Sequence, residues 1–137
     1  MDVRTETFAE ALAAFTYLVN VDMKELAGKL DARLIDGLEN GKAQKFEYTI
    51  ELCWKAIKAY LKQQEGIDEA SPKKVIKAYY LAGFLNEDDY LQLAQAIDDR
   101  NKLSHIYEAV EFMAILARLP NYAPIMQRIL TTLQTSA

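Results

Sequence analysis

The stretch RNKLSHIYE, residues 100–108, contains the only histidine of the 137-residue chain, together with an arginine and a tyrosine. Imidazole suits proton transfer near neutral pH, because its unperturbed pKa lies close to that range. Guanidinium stays charged and offers a planar fork that matches phosphate oxygens. His105 and Arg100 therefore supply two parts that a metal-free ribonuclease needs, a group that moves a proton and a group that stabilises charge on phosphorus.

The spacing of this motif restricts how its members can meet. Each residue of a continuous helix advances about 100°, so positions i and i+5 diverge by about 140°, while i and i+7 nearly coincide. Arg100 and Tyr107 would share a face that His105 does not. Two arrangements bring His105 to Arg100: the helix ends near Ser104, or the site combines residues of two subunits. The spacing alone is weak evidence, since a lone histidine near a helix C-terminus commonly just stabilises the helix dipole.

Other chemistries find little support in the sequence. One histidine and one cysteine give no zinc-ligand spacing, and Lys102 stands where a Glu-x-x-His di-iron motif needs glutamate. Cys53 falls on an apolar helix stripe, which predicts a buried structural thiol. Glu47 and Glu51 lie one helical turn apart, and ion pairing on an exposed face explains them better than catalysis by paired carboxylates. We therefore expect no metal and no cofactor.

Length and composition predict one globular domain, residues 1–137, in which 51% of residues are hydrophobic and 26% are charged. No apolar run is long enough for a membrane span, the N-terminus lacks a signal pattern, and a lone cysteine forms no internal disulfide. We therefore expect a cytoplasmic protein. The net charge of −4 argues against broad, sequence-blind binding to nucleic acid. Six lysines within residues 52–77 form either a solvated face or a basic strip near Arg100.

The elements that must position the motif are helices, because apolar residues recur at steps of three and four and no alternating strand pattern is evident. A first apolar stripe keeps its phase from Phe8 to Leu34. This stripe favours one long helix, although Asp22 and Glu25 could form a capping box that divides it.

Turn and cap residues indicate the later boundaries. Gly37 and Gly41 predict a break before the second helix. Residues 71–72, a serine followed by proline, predict the start of a third helix, and residues 86–89, an asparagine followed by three acids, predict another. Long amphipathic helices with short connections predict an all-α, up-and-down bundle of four to six helices.

The last helical region is expected to run from about Glu108 to Thr132. Pro120 and Pro124 each lack a backbone donor, so they should kink or divide it.

Three separated blocks resemble the nucleotidyltransferase substrate-binding protein family, which belongs to the wider HEPN superfamily and is related to the HepT toxins. In chain order they are KFEYTIELCWKAIKAYL (45–61), SPKKVIKAYYLAGF (71–84) and DDRNKLSHIYE (98–108). The similarity runs from about residue 36 to residue 110, and the first and last helices match only in general character. The resemblance implies a HEPN-like bundle that forms a symmetric homodimer and works with a minimal nucleotidyltransferase encoded nearby.

The resemblance also implies roles for the motif. In the HEPN superfamily, R-x4-6-H marks metal-independent endoribonucleases, and HepT-like members carry R-x4-H-x-Y, whose tyrosine the partner can nucleotidylate to silence the toxin. The pattern maps onto Arg100, His105 and Tyr107. His105 would move the proton, Arg100 would steady the phosphorane, and Tyr107 would position RNA and accept the nucleotidyl group. Asn101 matches the polar follower, and Lys102 is a further candidate contact for nucleotide or RNA.

The family block around the only tryptophan adds candidate contacts. Trp54 could stack on a base, and Lys55 and Lys58 could pair with the phosphates of RNA or a nucleotide. Packing of Trp54 at a bundle or dimer interface is the alternative that we favour.

Three hypotheses remain. The first is a HepT-like endoribonuclease toxin that a partner nucleotidyltransferase neutralises. The second is a non-catalytic subunit of a minimal nucleotidyltransferase, in which the same residues hold a nucleotide or substrate. The third is a purely structural dimer. The first two imply RNA or a nucleotide as the ligand.

Overall fold

The structure is a computed structural model that describes residues 2–105 and 108–135. Most of these residues are helical. The six α-helices are α1 (Val3–Val19), α2 (Met23–Ala27), α3 (Ala32–Tyr60), α4 (Pro72–Leu81), α5 (Glu87–Leu103) and α6 (Ala109–Thr135). A π-helical turn, Leu61–Glu65, directly continues α3. No strand occurs within these two ranges, and the predicted all-α class is confirmed.

Four long helices, α1, α3, α5 and α6, surround the core. α1 packs on α3 and α6, α4 packs on α3 and α5, and α5 contacts α3 and α6. Phe46 of α3 packs its ring against Phe15 of α1 and Tyr122 of α6, with centroid separations of 5.9 and 5.7 Å. The inward residues of α5, Leu93 and Ile97, are buried. The C-terminal end of α5 is therefore held beside both α3 and α6.

The first apolar stripe does not form one long helix, so that expectation is wrong. Asp22 caps α2, because its carboxylate accepts hydrogen bonds from the backbone N–H groups of Lys24 and Glu25 at 3.0 and 3.3 Å. Asp31 caps α3 in the same way, accepting from the Leu34 N–H at 2.9 Å. Each carboxylate accepts hydrogen bonds from backbone N–H groups that have no partner within the first turn of its helix. The stabilisation of these two new helix starts outweighs the tendency of a continuous apolar stripe to form one helix.

The break predicted at Gly37 and Gly41 is also wrong, because α3 continues through both as a helix of 29 residues. A glycine inside a helix costs only about 1 kcal/mol, which the packing of the rest of α3 outweighs. The glycines with positive φ are Gly66, which ends the π-helical turn at φ 67°, and Gly83, which follows α4 at φ 91°.

The other predicted boundaries are confirmed. α4 begins at Pro72, directly after Ser71, and α5 begins after Asn86, whose side chain accepts a hydrogen bond from the Asp89 N–H at 2.7 Å.

α6 continues through Pro120 and Pro124, so the prolines do not divide this last helix. Each proline removes one backbone donor, and the buried residues around them keep the helix on the core. No helix in the described ranges combines the length and the apolar character that crossing a bilayer requires.

Candidate functional site

The RNKLSHIYE motif lies at the C-terminal end of α5. The helix ends at Leu103 with Ser104 as its C-cap, and the His105 N–H donates to the Lys102 carbonyl at 2.9 Å. α5 ends directly before the exposed His105, as in the first of the two expected arrangements, but this helix end does not give Arg100 and His105 the same neighbours within one chain. Tyr107 lies outside the described residues, so its predicted role stays a prediction.

His105 lines an open depression of about 480 Å³ between α5 and the start of α6. The other lining residues are Gln95, Asp98, Asn101, Lys102 and Glu111. The structure therefore brings Asn101 and Lys102 together with His105, as candidate contacts for one ligand. Two carboxylates share the depression with the Lys102 ammonium, so its walls offer hydrogen-bond acceptors as well as positive charge.

Arg100 is directed toward α3 and is not among the residues that line this depression. Its Nη2 lies 3.0 Å from Oε2 of Glu51, and its Nη1 donates to Oδ1 of Asn101 at 3.4 Å. Arg100 lies on α5 and points toward α3, whereas His105 follows the C-cap of α5 and faces the depression, so the two side chains have different neighbours.

Glu51 of α3 is the main partner of Arg100. Its Oε2 also accepts the indole N–H of Trp54 at 3.0 Å, and its Oε1 lies 3.3 Å from Nζ of Lys55. Burial raises the pKa of Glu51, but hydrogen bonds from Trp54 and Lys55 and the charge of Arg100 outweigh burial, so the pKa lies below its ordinary value. The ion pairing expected for Glu51 is confirmed, with Lys55 and Arg100 as its partners.

Glu47 lies one helical turn before Glu51 and is half-buried. Burial raises the pKa of the Glu47 carboxyl, and the positive charge of Arg100 opposes that rise. The charge of the Arg100 guanidinium thus acts on two carboxyl groups of α3.

The candidate contacts on α3 separate into two places. Trp54 is 9% exposed and packs within the hydrophobic core, with the Lys55 ammonium 5.9 Å from its ring centroid. Lys58 instead pairs with Asp68 at 3.3 Å, in the segment that follows the π-helical turn. Trp54 and Lys55 are therefore connected to Arg100 through Glu51, whereas Lys58 pairs with a residue outside this group.

Asp99 is an important residue beside the motif that the sequence analysis missed. It is fully buried, and its carboxylate accepts from Arg118 at 2.7 and 2.9 Å, from the Tyr122 hydroxyl at 2.6 Å and from Gln95 at 3.0 Å. Burial raises the pKa of Asp99, but these hydrogen bonds outweigh burial and lower it overall. The sequence did contain a signal, because Asp99 follows Ala96 by three positions on the buried face of α5.

Cys53 is fully buried, and burial raises the pKa of its thiol, so the predicted structural thiol is confirmed. Across residues 2–105 and 108–135, no three His, Cys, Asp or Glu side chains are grouped so that they could hold a metal ion.

Comparison with solved structures shows that the bundle has a HEPN-like fold. A HEPN toxin from Shewanella oneidensis, solved tri-AMPylated and in complex with its MNT antitoxin, superposes with a TM-score of 0.74 at 10% identity, covering 100% of both chains. HI0074 from Haemophilus influenzae, which has the fold of a substrate binding domain of a nucleotidyltransferase, superposes with a TM-score of 0.83 at 22% identity. Here the alignment covers 95% of this chain and 98% of the other.

Sequence similarity then gives the family. The family profile described as nucleotidyltransferase substrate binding protein like matches residues 3–135, and the chain belongs to this family. A protein of known structure from Thermus thermophilus is 32% identical, with a TM-score of 0.80 over 92% of this chain and 98% of the other. No curated protein matches the chain. The predicted resemblance is confirmed, and the match extends well beyond residues 36–110.

Proposed function

We propose that this chain is the HEPN-type partner of a minimal nucleotidyltransferase and acts as a metal-independent endoribonuclease that this partner silences. The observation that carries the proposal is the complete R-x4-H-x-Y pattern at the exposed end of α5, which stops directly before His105. Its setting supports the proposal, since a fold shared over the whole chain occurs in a HEPN toxin bound to an MNT antitoxin.

The chemistry assigns one role to the imidazole of the motif and one to its guanidinium. His105 takes the proton of the ribose 2′-hydroxyl, whose oxygen forms a bond to phosphorus while the bond from phosphorus to the 5′-oxygen breaks. The 5′-oxygen leaves as a hydroxyl after it takes a proton from a water molecule, the imidazolium of His105 returns its proton to the resulting hydroxide, and a 2′,3′-cyclic phosphate remains. Arg100 stabilises the negative charge on the phosphorane oxygens. Neither step requires a metal ion.

A symmetric homodimer would complete the site, because one chain holds Arg100 against α3 while His105 faces the depression. A two-fold axis beside the ends of both α5 helices would bring Arg100 of one copy to His105 of the other. The start of α6, directly after the motif, supports this arrangement, since Val110 and Met113 are 82% and 48% exposed there. Apolar surface of this kind favours burial against a partner.

Silencing would proceed at Tyr107. Its phenol oxygen would replace pyrophosphate on the α-phosphorus of a nucleoside triphosphate in the active site of the partner transferase. The product carries a negatively charged phosphodiester two residues from His105, where RNA phosphate would bind.

A growth experiment tests the ribonuclease activity in cells. We expect induction of the wild-type chain to stop growth and fragment cellular RNA, whereas His105→Ala loses about 10²- to 10⁴-fold of the activity because proton transfer is lost. Ser104→Ala, at the adjacent exposed position, is the matched control and should behave as wild type. Intact RNA and normal growth with the wild-type chain would reject the ribonuclease.

Intact mass after co-expression with the neighbouring transferase tests the silencing. We expect one or more nucleotidyl groups on the wild-type chain and none on Tyr107→Phe. An adduct that persists in Tyr107→Phe would assign the modification to another residue.

A second candidate function, a non-catalytic subunit that holds a nucleotide for the transferase, is favoured by one observation. The depression beside His105 has the volume of a small-molecule site, and its mixed amide, carboxylate and ammonium lining suits a nucleotide better than a long RNA backbone. Nucleotide titration of the purified chain tests it. Binding that Lys102→Ala weakens, in a chain that leaves RNA intact, would favour this function over the first.

A further inference from the structure

We infer that Glu51 is a positioning residue for Arg100, and that Trp54 and Lys55 contribute to the site by orienting Glu51. The inference rests on the proposed function, because it takes Arg100 as the group that binds the reacting phosphate. It gives a role to a carboxylate that lies outside the R-x4-H-x-Y pattern, on a different helix.

The contacts that orient Arg100 begin at a residue of the core and extend to the surface. Trp54 is 9% exposed, so its indole N–H is a donor fixed by packing. The indole N–H donates a hydrogen bond to Oε2 of Glu51 at 3.0 Å. The same oxygen forms an ion pair with Nη2 of Arg100 at 3.0 Å. Lys55 holds the other carboxylate oxygen at 3.3 Å. Both oxygens of Glu51 are engaged, and this fixes the direction in which the carboxylate presents itself to the guanidinium.

The partly exposed guanidinium needs such support. The Arg100 side chain is 37% exposed, against 27% for Glu51, and a long side chain at that exposure samples many rotamers. Glu51 engages one of its nitrogens and Asn101 contacts a second, while a guanidinium has five N–H donors. Donors therefore remain for a phosphate while Glu51 fixes the orientation of the group, and preorganisation of this kind raises reaction rates.

A double-mutant cycle on RNA cleavage tests the role. We expect Glu51→Gln to lower kcat by about 10- to 100-fold in the wild-type background, because the guanidinium is misplaced, and to have no further effect in the Arg100→Ala background. Asp68→Asn is the matched control, since it removes another ion-pair partner of an α3 lysine and should leave kcat unchanged. Equal losses from Glu51→Gln in both backgrounds would show a merely structural role and overturn the inference.

The only tryptophan gives a second readout that needs no RNA. The indole N–H resonance of Trp54 should follow the ionisation of Glu51 in an acid titration, because the two groups share a hydrogen bond. Arg100 on α5 and Lys55 on α3 favour the carboxylate, while burial opposes it; the other acid on this part of α3 is Glu47, one helical turn before Glu51. We expect Arg100→Ala to move the midpoint of this titration to higher pH.

The two experiments separate the inference from the function on which it rests. A wild-type chain that cuts no RNA removes the proposed function, and the positioning role falls with it. A wild-type chain that cuts RNA, with the Trp54 midpoint unmoved by Arg100→Ala, overturns the positioning role alone.

Discussion

Asp98 and Asp99 are neighbours in the sequence but have opposite environments. The Asp98 side chain is 43% exposed and pairs with Lys73 at 2.6 Å on the surface. The Asp99 side chain is fully buried and accepts hydrogen bonds from Arg118 and Tyr122 of α6. Because successive helix positions differ by about 100°, one carboxylate faces solvent while the next connects α5 to α6 directly before Arg100.

This difference in environment predicts that the same substitution lowers the free energy of unfolding by different amounts at the two positions. Asp99→Asn should lower the free energy of unfolding by about 3 kcal/mol, because it leaves Arg118 without its buried counter-charge. Asp98→Asn should lower the free energy of unfolding by no more than about 1 kcal/mol, because an exposed ion pair contributes little to stability. Urea denaturation of both variants measures the two values, and equal costs would contradict the assigned environments.

The lowered pKa of Asp99 also predicts a pH dependence. The unfolded chain binds this proton more readily than the folded chain, so the contribution to stability is complete above the ordinary pKa of about 3.9 and is lost as pH falls through the folded value. The wild-type chain should therefore lose more stability than Asp99→Asn as pH falls below about 3.9. Parallel stability curves in urea for the two chains would contradict this linkage.

At the scale of the element, glycines within α3 differ from the glycine that ends its π-helical extension. A Cβ added at Gly37 or Gly41 would meet nothing within 4 Å, and neither residue has positive φ. Gly66 has φ 67°, a left-handed conformation that L side chains disfavour.

Alanine substitutions should therefore change stability in opposite directions. Gly37→Ala and Gly41→Ala should each raise the free energy of unfolding by about 0.5–1 kcal/mol, because alanine has less conformational freedom to lose on folding. Gly66→Ala should lower it by about 1–2 kcal/mol. Thermal unfolding of the three variants measures these changes, and destabilisation by either α3 substitution would contradict a continuous helix.

The helix boundaries that could be predicted from the sequence are those with a local cause. The starts of α4 and α5 depend on Ser71 before proline and on Asn86 before acids, and both act within one helical turn. The divisions at Asp22 and Asp31 were harder to predict, because an apolar stripe has the same phase in one long helix as in three aligned ones. The continuity of α3 through its glycines depends on tertiary packing, which local propensity does not include.

The same distinction applies to the candidate site. The end of α5 near Ser104 is one of the two arrangements that helical geometry allows for the motif, and it could be predicted. The contacts of Arg100 with Glu51 and of Asp99 with Arg118 join different helices, so they depend on a packing arrangement that no local spacing specifies.

At the scale of the whole molecule, the proposed site needs two copies of the chain. If each site combines Arg100 of one copy with His105 of the other, a mixed dimer of Arg100→Ala and His105→Ala chains contains one intact site and one site that lacks both groups. Each variant alone contains none.

Co-refolding of equal amounts of the two inactive variants should therefore restore about a quarter of the wild-type cleavage rate, because about half of the dimers are mixed and each has one intact site of two. Each variant refolded alone is the control and should remain inactive. Mixed dimers that form, as native mass spectrometry would detect, but show no activity would contradict a site shared between subunits.

Cleavage of a synthetic RNA by the purified chain in the presence of EDTA tests the central claim most directly. We predict cleavage with 2′,3′-cyclic phosphate ends by the wild-type chain and a rate about 10²- to 10⁴-fold lower for His105→Ala, because the reaction uses a histidine and no metal ion. Intact RNA with the wild-type chain, or equal cleavage by His105→Ala, would contradict the account.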